Sequence, residues 1–253
     1  MLAIQRYVTD GACKQYLARQ IFEESLHNST MEVCCSAYGL DPDEVANAFN
    51  TIPAIKAKTD FLKSVTTDLF RKDFDIETIA GKQEFIRNVF VFYIICEGVF
   101  FFSGFAMILA LGRQNKLNGL CDQIRYTLRD ETIHIKFGTH LLNRLRREYP
   151  EAWTTEFEIE LWGLLRYAVD LEILYAQDAL PNGILGLNAT MFIDYMQFIG
   201  NRRVEALEMK QRFESNKNPF PWLSESVDTK AMGAFFERHE RSYQTAGAVE
   251  DDF

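Results

Sequence analysis

Apolar residues recur along most of this chain at the three- and four-residue spacing of helices, and the alternation typical of strands is scarce. Glycine and proline interrupt the pattern where one helix should end and the next begin. The pattern therefore predicts an all-α protein in which residues 1–8 form the last turns of a first helix. The other predicted helices cover residues 12–39, 42–49, 53–72, 82–111, 120–148, 151–179 and 188–214.

The end of the chain follows a different pattern. Residues 217–222 cannot be helical throughout because Pro219 and Pro221 are separated by a single residue. We predict one helical domain over residues 1–223, with its first helix incomplete. Residues 224–253 are predicted to form a short helix and a flexible tail.

The stretch Val89–Leu111 is apolar and long enough to raise the question of a membrane span. Glu97 lies inside it, however, and a carboxylate at the centre of a bilayer is costly. A helix that is apolar nearly all round is also typical of the core of a large helical domain. We therefore expect this helix to be buried in protein, with no membrane contact.

Composition narrows the class of protein further. Hydrophobic residues are 47% and charged residues 25% of the 253 residues, which is typical of a globular protein. The net charge of −9 disfavours binding to nucleic acid or to anionic membranes. The five cysteines contain no Cys-x-x-Cys pair, and the first residues lack the layout of a signal peptide. We expect a cytoplasmic protein in which the adjacent Cys34 and Cys35 are buried apolar side chains.

Two of the four histidines follow a glutamate by three residues. They are His27, after Glu24, and His134, after Glu131. Positions i and i+3 lie on one face of a helix, so each pair is able to reach a single metal ion. The pattern alone has modest specificity, because 36 of the residues are acidic.

Glu97 adds a carboxylate on a third predicted helix, where an ionised side chain is costly unless it is paired or bound to metal. The alternative is a buried glutamate satisfied by an arginine or by the backbone. Helical bundles that bind two metal ions use a single Glu on each of two helices and a Glu-x-x-His motif on each of two others. Five of these six ligands are recognisable, and carboxylates with imidazoles suit iron or manganese.

The sixth carboxylate has no convincing candidate. Asp10 lies beside Gly11 in what the sequence indicates is a turn. Glu23 points about 100° away from Glu24 around the helix. We expect Asp10 and Glu23 to lie at the surface.

Several segments, in this order along nearly the whole chain, resemble the small (β) subunit of class I ribonucleotide reductases. The most specific are Arg129-Asp130-Glu131-Thr132-Ile133-His134 and Asn218-Pro219-Phe220-Pro221-Trp222. The others are residues 18–27, 49–53, 97–101 and 195–199, with Arg202 and Arg203.

The resemblance implies a ferritin-like helical bundle of the carboxylate di-metal type, and a homodimer. It implies that a di-iron or manganese–iron centre reacts with oxygen and supplies a one-electron oxidant to a large (α) subunit. That subunit reduces ribonucleotides, whether as diphosphates or triphosphates, to deoxyribonucleotides. The ligands that the resemblance implies are Glu24, His27, Glu97, Glu131 and His134.

Other positions match residues that act around this centre in the family. Asp130 matches the residue that links a metal-bound histidine, here His27, to the radical path between subunits. Phe101 and Phe105 match the apolar pocket that keeps water away from the oxidant.

The tail also has a counterpart in the family. Tyr243 matches the tyrosine that relays the radical between the subunits. The acidic end, closed by Phe253, fits a peptide that docks in a groove of the α subunit. Without the resemblance, a solvated tail would be the simpler interpretation.

The sequence departs from the family pattern in three respects. Met31 stands four residues after His27, where many members carry a radical tyrosine, although some carry Phe there and keep the oxidant on a manganese–iron pair. Tyr93 and Tyr126 are conceivable replacements, but a core tyrosine is more often plain packing. The first carboxylate ligand and the tryptophan of the radical path would fall upstream of Met1, so we expect a truncated form or a fragment.

Two other functions stay open. A related two-metal oxidase would need no α subunit, although the tail residues Tyr243 and Phe253 would then lack a purpose. A catalytically inert or regulatory β-like partner is favoured by Met31 and by the missing sixth ligand. Metal content and co-purification with an α subunit distinguish these functions from the leading one.

Overall fold

The computed structural model describes residues 1–184 and 186–223. Regular structure in these ranges is helical, apart from one isolated bridge between Ile184 and Leu187, and the predicted all-α class is confirmed. The helices are α1 (Leu2–Tyr7), α2 (Gly11–Ala37), α3 (Pro42–Thr51), α4 (Pro53–Val65), α5 (Ile79–Phe90), the π-helical segment (Val91–Cys96), α6 (Phe102–Gly112), α7 (Asn118–Glu148), α8 (Thr155–Ala179) and α9 (Ala189–Ala206). The predicted short helix and tail, with Tyr243 and Phe253, lie outside the described residues.

Polar side chains cap the starts of α2, α8 and α9. Asp10 accepts a hydrogen bond from the amide of Cys13 (2.8 Å) and is exposed, as expected. Thr154 and Asn188 cap α8 and α9 in the same way. These caps fix where each helix begins, and hence which face it turns to the core.

Helix α7 lies at the centre of one half of the bundle and packs against α2, α5, the π-helical segment and α6. Helix α8 packs against α4 and α9 in the other half and also contacts the π-helical segment. The apolar stretch that includes this segment is therefore the core of the molecule, with Tyr93, Ile94 and Ile95 fully buried. No helix in the described part of the chain is long and apolar enough to cross a membrane.

The predicted continuous helix over residues 82–111 is wrong at its centre. Helix α5 ends at Phe90, the π-helical segment follows, and residues 97–101 form a turn before α6 begins. The amide of Glu97 donates to Phe92 O (3.2 Å), five residues back, instead of four. Such π-bulges are frequent at functional sites, and this one coincides with the lone glutamate singled out above.

Two other predicted helices end earlier than the pattern indicated. Helix α4 stops at Val65, because the side chain of Asn88 accepts from the amide of Thr67 (3.1 Å) and holds it out of a helix. Helix α9 stops at Ala206, because Glu208 takes a positive φ of 54° and the amide of Met209 turns back to Val204 O (3.1 Å). A distant asparagine thus ends α4, whereas a left-handed residue ends α9.

The expectation that Cys34 and Cys35 are buried is wrong. Both are partly exposed, and all five cysteines are free. The physical reason is that α2 extends past the core: its last buried residue is Glu23, and the turns that carry Cys34 and Cys35 lie beyond it.

Candidate metal centre

Three parts of the fold bring acidic and imidazole side chains together. Glu24 on α2, Glu97 after the π-helical segment, and Glu131 and His134 on α7 each offer one ligand atom, and these atoms lie within 4.8 Å of one another. His27 joins them, because its Nδ1 lies 3.2 Å from Glu131 Oε1. The structure thus places all five residues that the sequence proposed as ligands in one cluster.

The two histidines turn the same ring nitrogen inward. His27 Nδ1 lies 3.4 Å from Glu24 Oε2, and His134 Nδ1 lies 3.3 Å from both Glu24 Oε1 and Glu131 Oε2. Glu24 and Glu131 therefore each contact both imidazoles. Glu97 lies near His134, with 3.9 Å between Oε1 and Nδ1.

The outer nitrogen of each histidine faces a carboxylate. His27 Nε2 lies 3.3 Å from Asp130 Oδ2, and His134 Nε2 lies 3.1 Å from Glu23 Oε2. Such outer partners fix the tautomer and ring orientation of a metal-binding histidine. The prediction that Glu23 lies at the surface is wrong: it is buried between His134 and Arg19, whose Nε donates to it at 2.8 Å.

A second hydrogen-bonded chain leads to Glu97. Tyr93 Oη donates to Gln20 Oε1 (2.8 Å), and Gln20 Nε2 donates to Glu97 Oε1 (2.8 Å). Gly138 makes room for this arrangement, because a Cβ there would lie 2.1 Å from Tyr93 Cγ. Sequence analysis missed Gln20, although its position one turn before Glu24 places it on the same helix face.

Burial and the neighbouring Glu131 raise the pKa of Glu97 to about 10. Burial opposes the charged form of His27, but the close carboxylates of Asp130, Glu131 and Glu24 outweigh it and raise the pKa of His27 to about 11. Burial likewise disfavours ionised Glu24, yet its contacts with both histidines lower its pKa to about 2. Metal ligands must be deprotonated, so cation binding at this cluster would release protons.

Unsatisfied atoms test whether metal ions suit the cluster. Glu24 Oε1, His27 Nδ1 and Glu97 Oε2 are buried and make no hydrogen bond of acceptable geometry. Buried polar atoms without partners are rare, and a bound ion is one of the few explanations. Within the described part of the chain, Glu97 is hydrogen-bonded by Gln20 and not by an arginine, so the alternative of an Arg-neutralised glutamate does not describe the site as far as the structure covers it. The residues present fit a di-metal centre.

The other residues singled out from the sequence vary in exposure. Phe105 is buried, whereas Phe101 is 39% exposed, and their ring centroids are 5.9 Å apart. Met31 is 37% exposed. Tyr93 is fully buried, and burial raises its pKa far above the ordinary phenol value. Of the two phenylalanines, Phe105 is thus the one placed to exclude water.

Comparisons with known proteins agree on one family. A model of the ribonucleotide reductase small chain matches residues 1–219. The ribonucleoside-diphosphate reductase subunit beta of Chlamydia pneumoniae is 47% identical over 247 residues, which cover 98% of this chain and 71% of the relative. The protein of the same name from Treponema pallidum is 25% identical, covering 98% of this chain and 70% of its own length.

Solved structures give the same result. The chain is similar to a putative class I ribonucleotide reductase from Bacillus halodurans, with a TM-score of 0.78 and 26% identity over 88% of this chain and 79% of that one. It is also similar to the ribonucleotide reductase R2 subunit from Clostridium botulinum, with a TM-score of 0.79 and 27% identity over 88% of this chain and 69% of that one.

Proposed function

Because this chain belongs to the ribonucleotide reductase small-chain family, we propose that it is the β subunit of a ribonucleoside-diphosphate reductase and that its Glu/His cluster binds two metal ions. The fold is the ferritin-like helical fold of that family. The observation that carries the proposal is the convergence of Glu24, His27, Glu97, Glu131 and His134 from three separate parts of the chain.

The contacts suggest how the ligands divide between two ions. Glu24 and Glu131 each reach both imidazoles, so each would help to hold both ions. His27 would bind one ion, and His134 with Glu97 the other. Among the described residues the ion at His27 has no further carboxylate of its own, so it would have one protein ligand fewer.

Iron or manganese suits this set of carboxylates and imidazoles. When bound, such a pair reacts with oxygen and supplies a one-electron oxidant. Met31 has no phenol that could store the oxidant, which favours storage on the metal pair, and a manganese–iron pair over two irons. Phe105 is buried beside the segment that carries Glu97 and would help to keep water out.

Asp130 is placed to connect the centre with the large subunit. It contacts the outer nitrogen of His27, so it would keep Nδ1 facing the ion. Its side chain is 29% exposed, and it therefore lies between the buried cluster and the surface of α7. This position supports a role in passing the oxidant outward.

Small subunits of this family work with a large subunit and are typically dimeric. We propose that Tyr243 relays the radical and that the acidic end with Phe253 docks on the large subunit. The five free cysteines suit a reducing cytoplasm.

Reconstitution with a large subunit tests this function. The full chain, loaded with manganese and iron, should support formation of deoxyribonucleotides, whereas a chain deleted from Gly247 onward should be inactive. The reason is that the deletion removes the docking peptide and leaves the metal cluster untouched.

Metal content, measured on both chains, is the control and should be equal. Retained activity after deletion would contradict the docking proposal. An intact chain that binds two ions but supports no reduction would favour a related oxidase, and a chain that binds less than one ion would favour an inert partner.

A further inference from the structure

The turn after Glu97 leaves two backbone carbonyl groups outside the normal helical ladder. The amide of Phe102 donates to Val99 O (3.1 Å) and not to Gly98 O, four residues back. Two side chains from distant helices bond to carbonyls in this turn instead. Arg203 Nε donates to Gly98 O (2.9 Å), and Lys58 Nζ donates to Phe100 O (3.1 Å).

Lys58 reaches the turn from α4 as part of a buried charged group. Its Nζ lies 2.6 Å from Glu172 Oε2 on α8, and Ser103 Oγ at the start of α6 donates to the other oxygen of Glu172. Glu172 is completely buried, and the side chain of Lys58 is 14% exposed. The ammonium group of Lys58 therefore lies between the carboxylate of Glu172 and the ring of Phe100, 4.7 Å from the ring centre.

Arg203 reaches the turn from α9. Its guanidinium carbon lies 4.8 Å from the centre of the Phe102 ring, so the group is held between that ring and Gly98 O. Burial lowers the pKa of Arg203 to about 10, which still leaves it charged at neutral pH. The turn is thus held by two cations, one from α4 and one from α9.

Stability of the fold is a weak explanation for these buried charges. Replacing a buried ion pair with apolar side chains of similar volume is often neutral or stabilising. The two cations bond to the same turn of the backbone. Arg203 bonds to Gly98 O and Lys58 to Phe100 O, which lie one and three residues beyond Glu97. The turn is also tight, because a Cβ on Gly98 would lie 2.3 Å from Ile94 O.

We propose that Lys58 and Arg203 are positioning residues that hold the turn after Glu97 and so set where its carboxylate meets the metal ion beside His134. This inference rests on the proposed function of the cluster. It assigns a purpose to the buried Glu172 as well, which holds Lys58 Nζ directed at Phe100 O.

Manganese titration of the full chain, followed by electron paramagnetic resonance, tests the proposal. In Lys58→Met the ion beside His134 should bind about 10- to 100-fold more weakly, while the ion beside His27 keeps its affinity. Lys58→Arg should restore binding, because it returns a cationic donor. Lys56→Met is the matched control: Lys56 is exposed on the same helix and pairs with Asp60, so both affinities should stay as in the wild type.

Arg203→Met should weaken binding of the ion beside His134 in the same way. Arg202→Met is its matched control, because Arg202 is exposed and adjacent in the sequence. If Lys58→Met folds poorly, the double variant Lys58→Met/Glu172→Gln replaces it. This variant removes both charges and should fold, yet it should still bind the ion beside His134 weakly. Wild-type affinity for both ions in the double variant would overturn the proposal.

Hydrogen exchange without added metal separates this inference from the proposed function. Lys58→Met should speed amide hydrogen exchange in the peptide that spans residues 97–103. Exchange in peptides from α7 should keep its wild-type rate. If the wild-type chain binds no manganese, the proposed function fails, and unchanged exchange in residues 97–103 would independently overturn the positioning role.

Discussion

Replacing Glu131 with alanine is expected to abolish binding of both metal ions. Its carboxylate is 1% exposed and contacts the inner nitrogens of both His27 (3.2 Å) and His134 (3.3 Å), so it would bridge the two ions. Metal content measured by mass spectrometry should fall from two ions per chain to nearly none.

Thermal unfolding distinguishes this loss from misfolding. An ion at about 100 times its Kd stabilises the folded chain by about 2.7 kcal/mol, so wild-type protein should gain melting temperature on adding manganese. Glu131→Ala should lose that gain while still unfolding cooperatively, because it removes the carboxylate that contacts both His27 and His134. Glu148→Ala, an exposed position on the same helix, should behave as wild type. Unchanged metal content in Glu131→Ala would refute the ligand assignment.

Replacing Asp130 with alanine should separate metal binding from radical transfer. Asp130 contacts only the outer nitrogen of His27, at 3.3 Å, and is not placed to bind an ion. With excess metal the variant should still hold two ions, while its activity with the large subunit falls by about 10- to 100-fold.

Asp122→Ala is the matched control for this second prediction. Asp122 lies on α7 and pairs with Arg125 at the surface, away from the cluster, so its loss should leave activity intact. Wild-type activity in Asp130→Ala would remove Asp130 from the path to the large subunit. Loss of metal from that variant would instead make it a structural support of the centre.

The candidate ligands could be proposed from the sequence because helix geometry preserves their spacing. Glu24/His27 and Glu131/His134 are pairs of the i, i+3 type, and such pairs share a face in any α-helix. Glu97 was recognisable for a different reason, since it is an isolated charge in an apolar stretch. Neither argument depends on how the helices pack.

Residues around the ligands were harder to predict because their roles depend on packing. Glu23 points away from Glu24 on α2, but α7 presents the outer nitrogen of His134 on that side. Gln20 and Glu172 carry no local signal, since their partners lie 77 and 69 residues away in the chain.

The break at Glu97 was missed for a related reason. An apolar run predicts a continuous helix, whereas the turn depends on hydrogen bonds from Lys58 and Arg203 on other helices. The early end of α4 likewise depends on a distant asparagine, Asn88 on α5. Long-range hydrogen bonds thus decided the helix bounds that local pattern could not.

Anomalous diffraction from crystals grown with manganese and iron, recorded at the absorption edge of each metal, tests the central claim most directly. We expect two peaks within about 4 Å of each other, one beside His27 and one beside His134, with the carboxylate of Glu131 between them. A cluster without any anomalous peak, or a lone metal bound elsewhere on the chain, would contradict the account.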